Sequence, residues 1–195
     1  MSEKTLDLGS QALIVARLAE NVTEQQLGNV TPCPEYAVHH ILGHLGGLAV
    51  AFRDAGRKDL GATTDTSPQA SVPDIAPGWR ETLPQALDEL AEAWRDPDAW
   101  TGMTRAGGVT LPGAVGGAVA ADELVVHGWD LARATGQEYE PEPAALQATY
   151  GFLAAAAAEP GASRGLFGPV VSVPDDAPLL DRVIGLSGRD PHWKA

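Results

Sequence analysis

The chain has 195 residues, 44% of them hydrophobic, and a formal net charge of −13. A chain of this length can bury about 70% of its unfolded surface in one core, so a single domain over residues 1–195 is expected, with no disulfide or metal needed merely to fold. The acidity repels phosphate backbones and argues against nucleic-acid binding; the lysines and arginines are scattered, without a basic stripe. Cys33 stands alone and cannot form an internal disulfide, which points to a reducing cytoplasm. The first five residues lack the basic and apolar regions of a signal peptide. The longest pure alanine run, Ala154 to Ala158, is too short to span a membrane, so no membrane partner is expected.

Helical periodicity dominates. Residues 5–27 place Leu6, Leu8, Leu13, Ile14, Ala16 and Leu18 at helical spacing. A second helix is expected to open after Thr31-Pro-Cys-Pro34, with Thr31 or Cys33 near the cap and Pro34 in the first turn. Its stripe is Val38, Ile41, Leu42, Leu45, Leu48, Ala49 and Phe52, and Gly56 ends it. Residues 57–76 are rich in Gly, Thr, Ser, Asp and Pro and read as a long surface loop. A third helix covers about 77–96, followed by a turn at Asp96-Pro-Asp98. Residues 100–113, broken by Gly107-Gly108 and Pro112-Gly113, read as loop or a short extended piece.

The fourth helix runs from Ala114 to about Thr135 and is stopped by Gly136. A fifth covers about Pro143 to Ala158, and residues 159–175 are Gly- and Pro-rich, with Phe167 to Val173 as a candidate extended piece. The last helix, Pro178 to Leu186, ends at Gly188, and Pro191 forbids its continuation. Four long helices sharing one core predict an all-α bundle, a class that builds metal sites from inward-facing side chains.

Within the fourth helix, Glu123, His127 and Asp130 fall in an arc of about 60°. Val119, Val126, Leu124 and Leu131 flank that arc. Polar groups so flanked are expected to face inward, where they must be paired or bind metal. The Glu123–His127 pair alone reads equally well as a surface ion pair. His44 lies at the edge of the second helix's stripe. Gly43, Gly46 and Gly47 surround it, as expected where a ligand or another backbone comes close. His40 sits about 140° from the centre of that stripe and should face solvent; His39 and His192 have no evident partner. Cys33 is more readily a packing residue than a reactive thiol. Trp129 is the tryptophan expected to border the site. No phosphate loop, dinucleotide fingerprint, zinc ribbon or nucleophile elbow is present.

Thr31-Pro-Cys-Pro-Glu-Tyr-Ala-Val38 with Leu42-Gly-His-Leu45 resembles the second-helix motif of the mycothiol-dependent maleylpyruvate isomerase N-terminal domains, which belong to the DinB-like metal-binding helical bundles. Glu123-Leu-Val-Val-His127-Gly-Trp-Asp130-Leu-Ala resembles their second motif. Asp181-Arg-Val-Ile and Gly188-Arg-Asp-Pro191 look like the C-terminal signature of a compact branch. The resemblance spans nearly the whole chain. It implies a DinB-like four-helix bundle with extra C-terminal helices, in which His44, Glu123 and His127 bind one divalent metal, usually zinc, with nickel and iron as alternatives. Asp130 is then the partner that orients a ligand histidine from behind and serves the chemistry. Tyr36 stands where the family usually has Trp, and His39 and His40 replace what is commonly Arg-Asp. The isomerase itself carries an additional C-terminal domain, for which too few residues follow Thr135.

The resemblance implies a thiol-dependent transferase or isomerase, with mycothiol as the small thiol cosubstrate and a small electrophile as its partner. A homodimer is the assembly expected. Two alternatives stay open. One is a metal-dependent hydrolase using Asp122 or Asp130 as base. The other is a non-catalytic protein that binds metal or a small molecule.

Overall fold

The computed structural model describes residues 5–67, 71–158 and 168–195. In chain order these hold α1 (Gly9–Glu20), α2 (Val38–Arg57), a single-turn α3 (Ala62–Asp65), α4 (Trp79–Ala93), β1 (Met103–Ala106), β2 (Val109–Pro112), α5 (Gly113–Thr135), α6 (Pro143–Ala158) and α7 (Leu179–Leu186). The architecture is all-α and DinB-like, with one antiparallel hairpin in which Thr104 faces Leu111 and Arg105 faces Thr110.

Each of α1 and α2 packs against both α4 and α5, closing a four-helix ring. The i, i+3, i+4 spacing of the α2 stripe turns one face of that helix inward. Ile41, Leu42 and Leu45 meet Val15 of α1, Leu87 and Leu90 of α4, and Leu124 and Leu131 of α5 in the main core. α5 is buried nearly all round. Its other side carries Val125 and Val126, which join Ala145 and Leu153 of α6 and Val183 of α7 in a second cluster. α5 is thus the shared wall between the bundle and the C-terminal helices. Among the described residues, no helix is long and apolar enough to cross a membrane.

Several boundaries differ from the sequence reading. The first helical pattern, 5–27, yields only Gly9–Glu20 and a separate 3-10 turn, Glu24–Gln26. Thr23 is extended (φ −84°, ψ 159°) and closes that turn by donating its N–H to Gln26 Oε1 at 3.0 Å. α2 starts at Val38, not near Pro34. The N–H groups of Val38 and His39 donate to the carbonyls of Asn29 and Leu27 instead, so the preceding loop satisfies the helix end and Thr31 is no cap. Thr31 Oγ1 accepts the Cys33 N–H at 3.1 Å and donates to the Tyr36 carbonyl at 2.6 Å, folding 31–36 into a tight loop.

Gly56 does not end α2. Lys58 does, in the left-handed conformation at φ 59°. A side chain is strained there, and Lys58 is held by Nζ donating to the carbonyls of Ala99 (3.1 Å) and Thr101 (2.9 Å). The loop over 57–76 contains α3, and α4 begins at Trp79 and stops at Ala93. Of the two readings of 100–113, the extended one holds, as the hairpin. Gly136 stops α5 at φ 69° as expected. The candidate extended piece 167–173 lies partly outside the described residues. Its described part forms no ladder and is tied to α7 by the Val171 N–H donating to the Gly185 carbonyl at 2.9 Å.

Candidate metal centre

The α2–α5 seam brings together the three residues that the sequence singled out. His44 Nε2 lies 3.1 Å from Glu123 Oε2, and His127 Nε2 lies 3.2 Å from the same oxygen. One ligand atom from each residue falls within 4.8 Å of the other two. The i, i+4 step places Glu123 and His127 on one face of α5. The edge position of His44 on the α2 stripe aims it across the seam, and the two imidazole rings meet edge-on at 4.7 Å.

The donor set fits a divalent ion. Imidazole nitrogens and carboxylate oxygens bind zinc at about 2.0–2.2 Å, commonly in tetrahedral geometry, which sets neighbouring donors roughly 3–3.5 Å apart. The Glu123 oxygen already stands at that spacing from both nitrogens. Two imidazoles and one carboxylate, with part of the carboxylate side chain open (27% exposed), leave room for a further ligand from solvent.

Behind His127 the polar chain continues inward. Asp130, one turn on, is fully buried and contacts His127 Nδ1 through Oδ2 at 2.9 Å. Burial opposes its charge, but the attraction of Arg189 and the bond from His127 outweigh burial and hold its carboxyl below the usual range. An ionised carboxylate only accepts, so Nδ1 of His127 carries the hydrogen and Nε2 is the nitrogen turned to the cluster. Burial likewise opposes ionisation of Glu123, yet hydrogen bonds from His127 and His44 pull its carboxyl far below the ordinary value. For His127, burial disfavours the imidazolium, while the bonds to Asp130 and Glu123 prevail and raise its pKa to about 9.

Other sequence expectations fare unevenly. Gly43 is needed for a close backbone approach, since a Cβ there would stand 2.3 Å from the Asp74 carbonyl carbon. Gly46 and Gly47 do not share that reason, for a Cβ on either meets nothing within 4 Å. His40 does not simply face solvent. It is half-buried, its Nδ1 accepts the Ala37 N–H at 3.1 Å, and its ring lies 6.0 Å from that of Tyr36. His39 does have a partner, Asp74, at 2.7 Å.

Trp129 packs beneath the Arg133 guanidinium at 5.9 Å; the aromatic ring beside His44 is Tyr36, at 5.9 Å. Burial, then the Asp130 carboxylate, push the Cys33 thiol up, against an activated thiolate. Asp122 is buried, its pKa pushed up to about 8 by burial and by Glu123, and its Oδ1 has no hydrogen-bond partner among the described residues. Helical spacing assigns Arg189 no role, yet its fork grips Asp130 across 59 residues, with Nε 2.8 Å from Oδ1. The one signal available was the Gly188-Arg-Asp-Pro191 motif.

A helical bundle with a His–Glu–His cluster on the seam of two long helices belongs to the class that can hold a divalent metal between helices. Comparison with known families narrows the class. The mycothiol maleylpyruvate isomerase N-terminal domain model matches residues 9–132, and the chain belongs to that family. Two proteins from strains of Mycobacterium tuberculosis, uncharacterized protein MT0763 and uncharacterized protein Rv0738, are each 28% identical over 130 residues. The match covers 66% of this chain and 65% of each relative. No solved structure matches.

Proposed function

We propose that the chain is a divalent-metal protein in which His44, Glu123 and His127 are the ligands, and that it acts as a thiol-dependent transferase or isomerase using mycothiol or a similar small thiol. The observation that carries this reading is the three-donor cluster with one accessible side, in a member of a family described by a mycothiol-dependent isomerase. Zinc fits the donors best, with nickel and iron as alternatives. A bound ion of this kind holds a thiol as thiolate at neutral pH and so supplies a strong nucleophile.

The chain's own residues do the rest. Glu123 offsets the ion's charge and keeps two imidazoles converged on one point. Asp130 fixes the tautomer and the plane of His127. Tyr36 flanks the accessible side next to His44 and helps bound the space where a small electrophile would sit.

Neither base named for the hydrolase alternative is free to act at neutral pH. Both oxygens of Asp130 are engaged by Arg189 and His127, and Asp122 holds its proton to about 8. Elemental analysis of tag-free protein tests the metal. About one equivalent of divalent ion is expected, and failure to retain or regain any would end the reading. Cobalt-substituted protein titrated with mycothiol tests the thiol. A new sulfur-to-cobalt absorption band is expected. Turnover of model esters without thiol, and no such band, would instead support the hydrolase.

A further inference from the structure

We infer that Arg189, which lies outside the family-matched segment 9–132, is a positioning residue of the metal centre, acting on His127 through Asp130. The inference rests on the metal reading above. Asp130 is fully buried, and each of its oxygens receives a nitrogen of the Arg189 fork: Nε to Oδ1 at 2.8 Å and Nη2 to Oδ2 at 2.9 Å. His127 Nδ1 meets the same Oδ2 at 2.9 Å. A carboxylate held at one oxygen can turn about its Cβ–Cγ bond. Gripped at both by a planar guanidinium, it cannot. The fixed carboxylate plane fixes the His127 ring, and Nε2 is thereby aimed at the Glu123 oxygen and His44.

Arg189 is itself rigidly placed. It follows the end of α7, whose Val183 and Ile184 are buried. Its N–H donates to the Ile184 carbonyl at 3.1 Å and its Nη1 to the Ser187 carbonyl at 3.2 Å. The tail beyond is tied to α5 by Arg133 donating to the Trp193 carbonyl at 2.9 Å. Guanidinium is required rather than ammonium, because only a planar fork reaches both oxygens at once and stays charged when buried. The C-terminal helices are thus part of the metal centre's support and more than a cover for the second hydrophobic cluster.

The test measures Zn2+ affinity by chelator competition, and the visible spectrum of the Co2+ form, for the full chain and for Arg189→Gln, Arg189→Lys, Asp130→Asn and the Asp130→Asn/Arg189→Gln double variant. Removing a supporting partner of a ligand histidine lowers metal affinity by roughly ten- to a hundredfold. Arg189→Gln and Asp130→Asn should each show that loss and the same change in cobalt spectrum, and Arg189→Lys should recover part of both. The double variant should bind no more than about threefold worse than Asp130→Asn.

Wild-type affinity and spectrum in Arg189→Gln overturn the inference. So does a further tenfold loss in the double variant, which would mean that Arg189 acts by another route. Should Arg189→Gln not fold, the comparison of Asp130→Asn with the double variant decides, because the amide oxygen introduced by Asp130→Asn still accepts from the Arg189 fork and the double variant buries neither an unpaired carboxylate nor an unpaired guanidinium. A wild-type chain that takes up neither Zn2+ nor Co2+ overturns the metal reading and this inference with it.

Discussion

Glu123 and Asp122 are adjacent carboxylates on one helix, and the fold treats them in opposite ways. Glu123 faces the α2 seam, where two imidazoles hold its carboxyl ionised far below the usual range. Asp122 lies on the side shared with Val125 and Val126 at i+3 and i+4, with no partner on Oδ1 among the described residues, and its pKa rises to about 8. Burial pushes both upward; only partners tell them apart. The charge on α5 is therefore placed by hydrogen bonding across the seam, and an ion that needs a carboxylate would find it on one face only.

The largest test of this contrast exchanges the two roles. Glu123→Ala should abolish stoichiometric metal uptake, whereas Asp122→Asn should leave it intact, as read by elemental analysis. Loss of metal in Asp122→Asn would break the comparison.

Next comes the proton that the seam holds. Because His127 keeps its proton to about 9 in the metal-free chain, an ion must displace it. Affinity should rise by up to about tenfold per pH unit below that value, with about one proton released per ion bound. Calorimetry in buffers of different ionisation enthalpy reads that proton, and pH-independent affinity between 6 and 8 would contradict it.

Asp122 yields a smaller effect, on stability. In the unfolded chain it loses its proton near 3.8, in the folded chain only near 8. Between those values the folded state holds the extra proton, so its contribution is complete below 3.8 and is lost as pH rises towards 8. The slope is at most about 1.4 kcal/mol per pH unit. Asp122→Asn should flatten that part of the profile and so be relatively more stable at pH 8 than at pH 5, by urea unfolding. Parallel profiles for the two chains would show that Asp122 ionises freely.

The smallest effect concerns Cys33. With burial and Asp130 raising its pKa, alkylation at neutral pH should be slower than for a free thiol, and Cys33→Ala should keep full metal stoichiometry.

The contrast also separates what periodicity can read from what it cannot. Glu123, His127 and Asp130 were legible because 3.6-residue geometry puts them on one arc of a single helix, and that geometry is local. His44 was legible for the same reason on α2, although its meeting with Glu123 spans 79 residues. The start of α2 was misplaced because Thr31 and Pro34 satisfy local cap rules, while the actual cap comes from the carbonyls of Leu27 and Asn29. The His39–Asp74 pair, 35 residues apart, depends on the loop that crosses Gly43, and no helical spacing encodes it.

By itself, then, the sequence determined which residues share a helix face, since that depends only on backbone geometry and side-chain polarity. It thereby determined an all-α bundle and three donors able to converge. Only the tertiary structure decided which carboxylate stays charged and that Arg189 returns from the C-terminal end to lock Asp130. Both depend on partners distant in the chain, and a buried charge takes its state from the groups packed against it rather than from its neighbours in sequence.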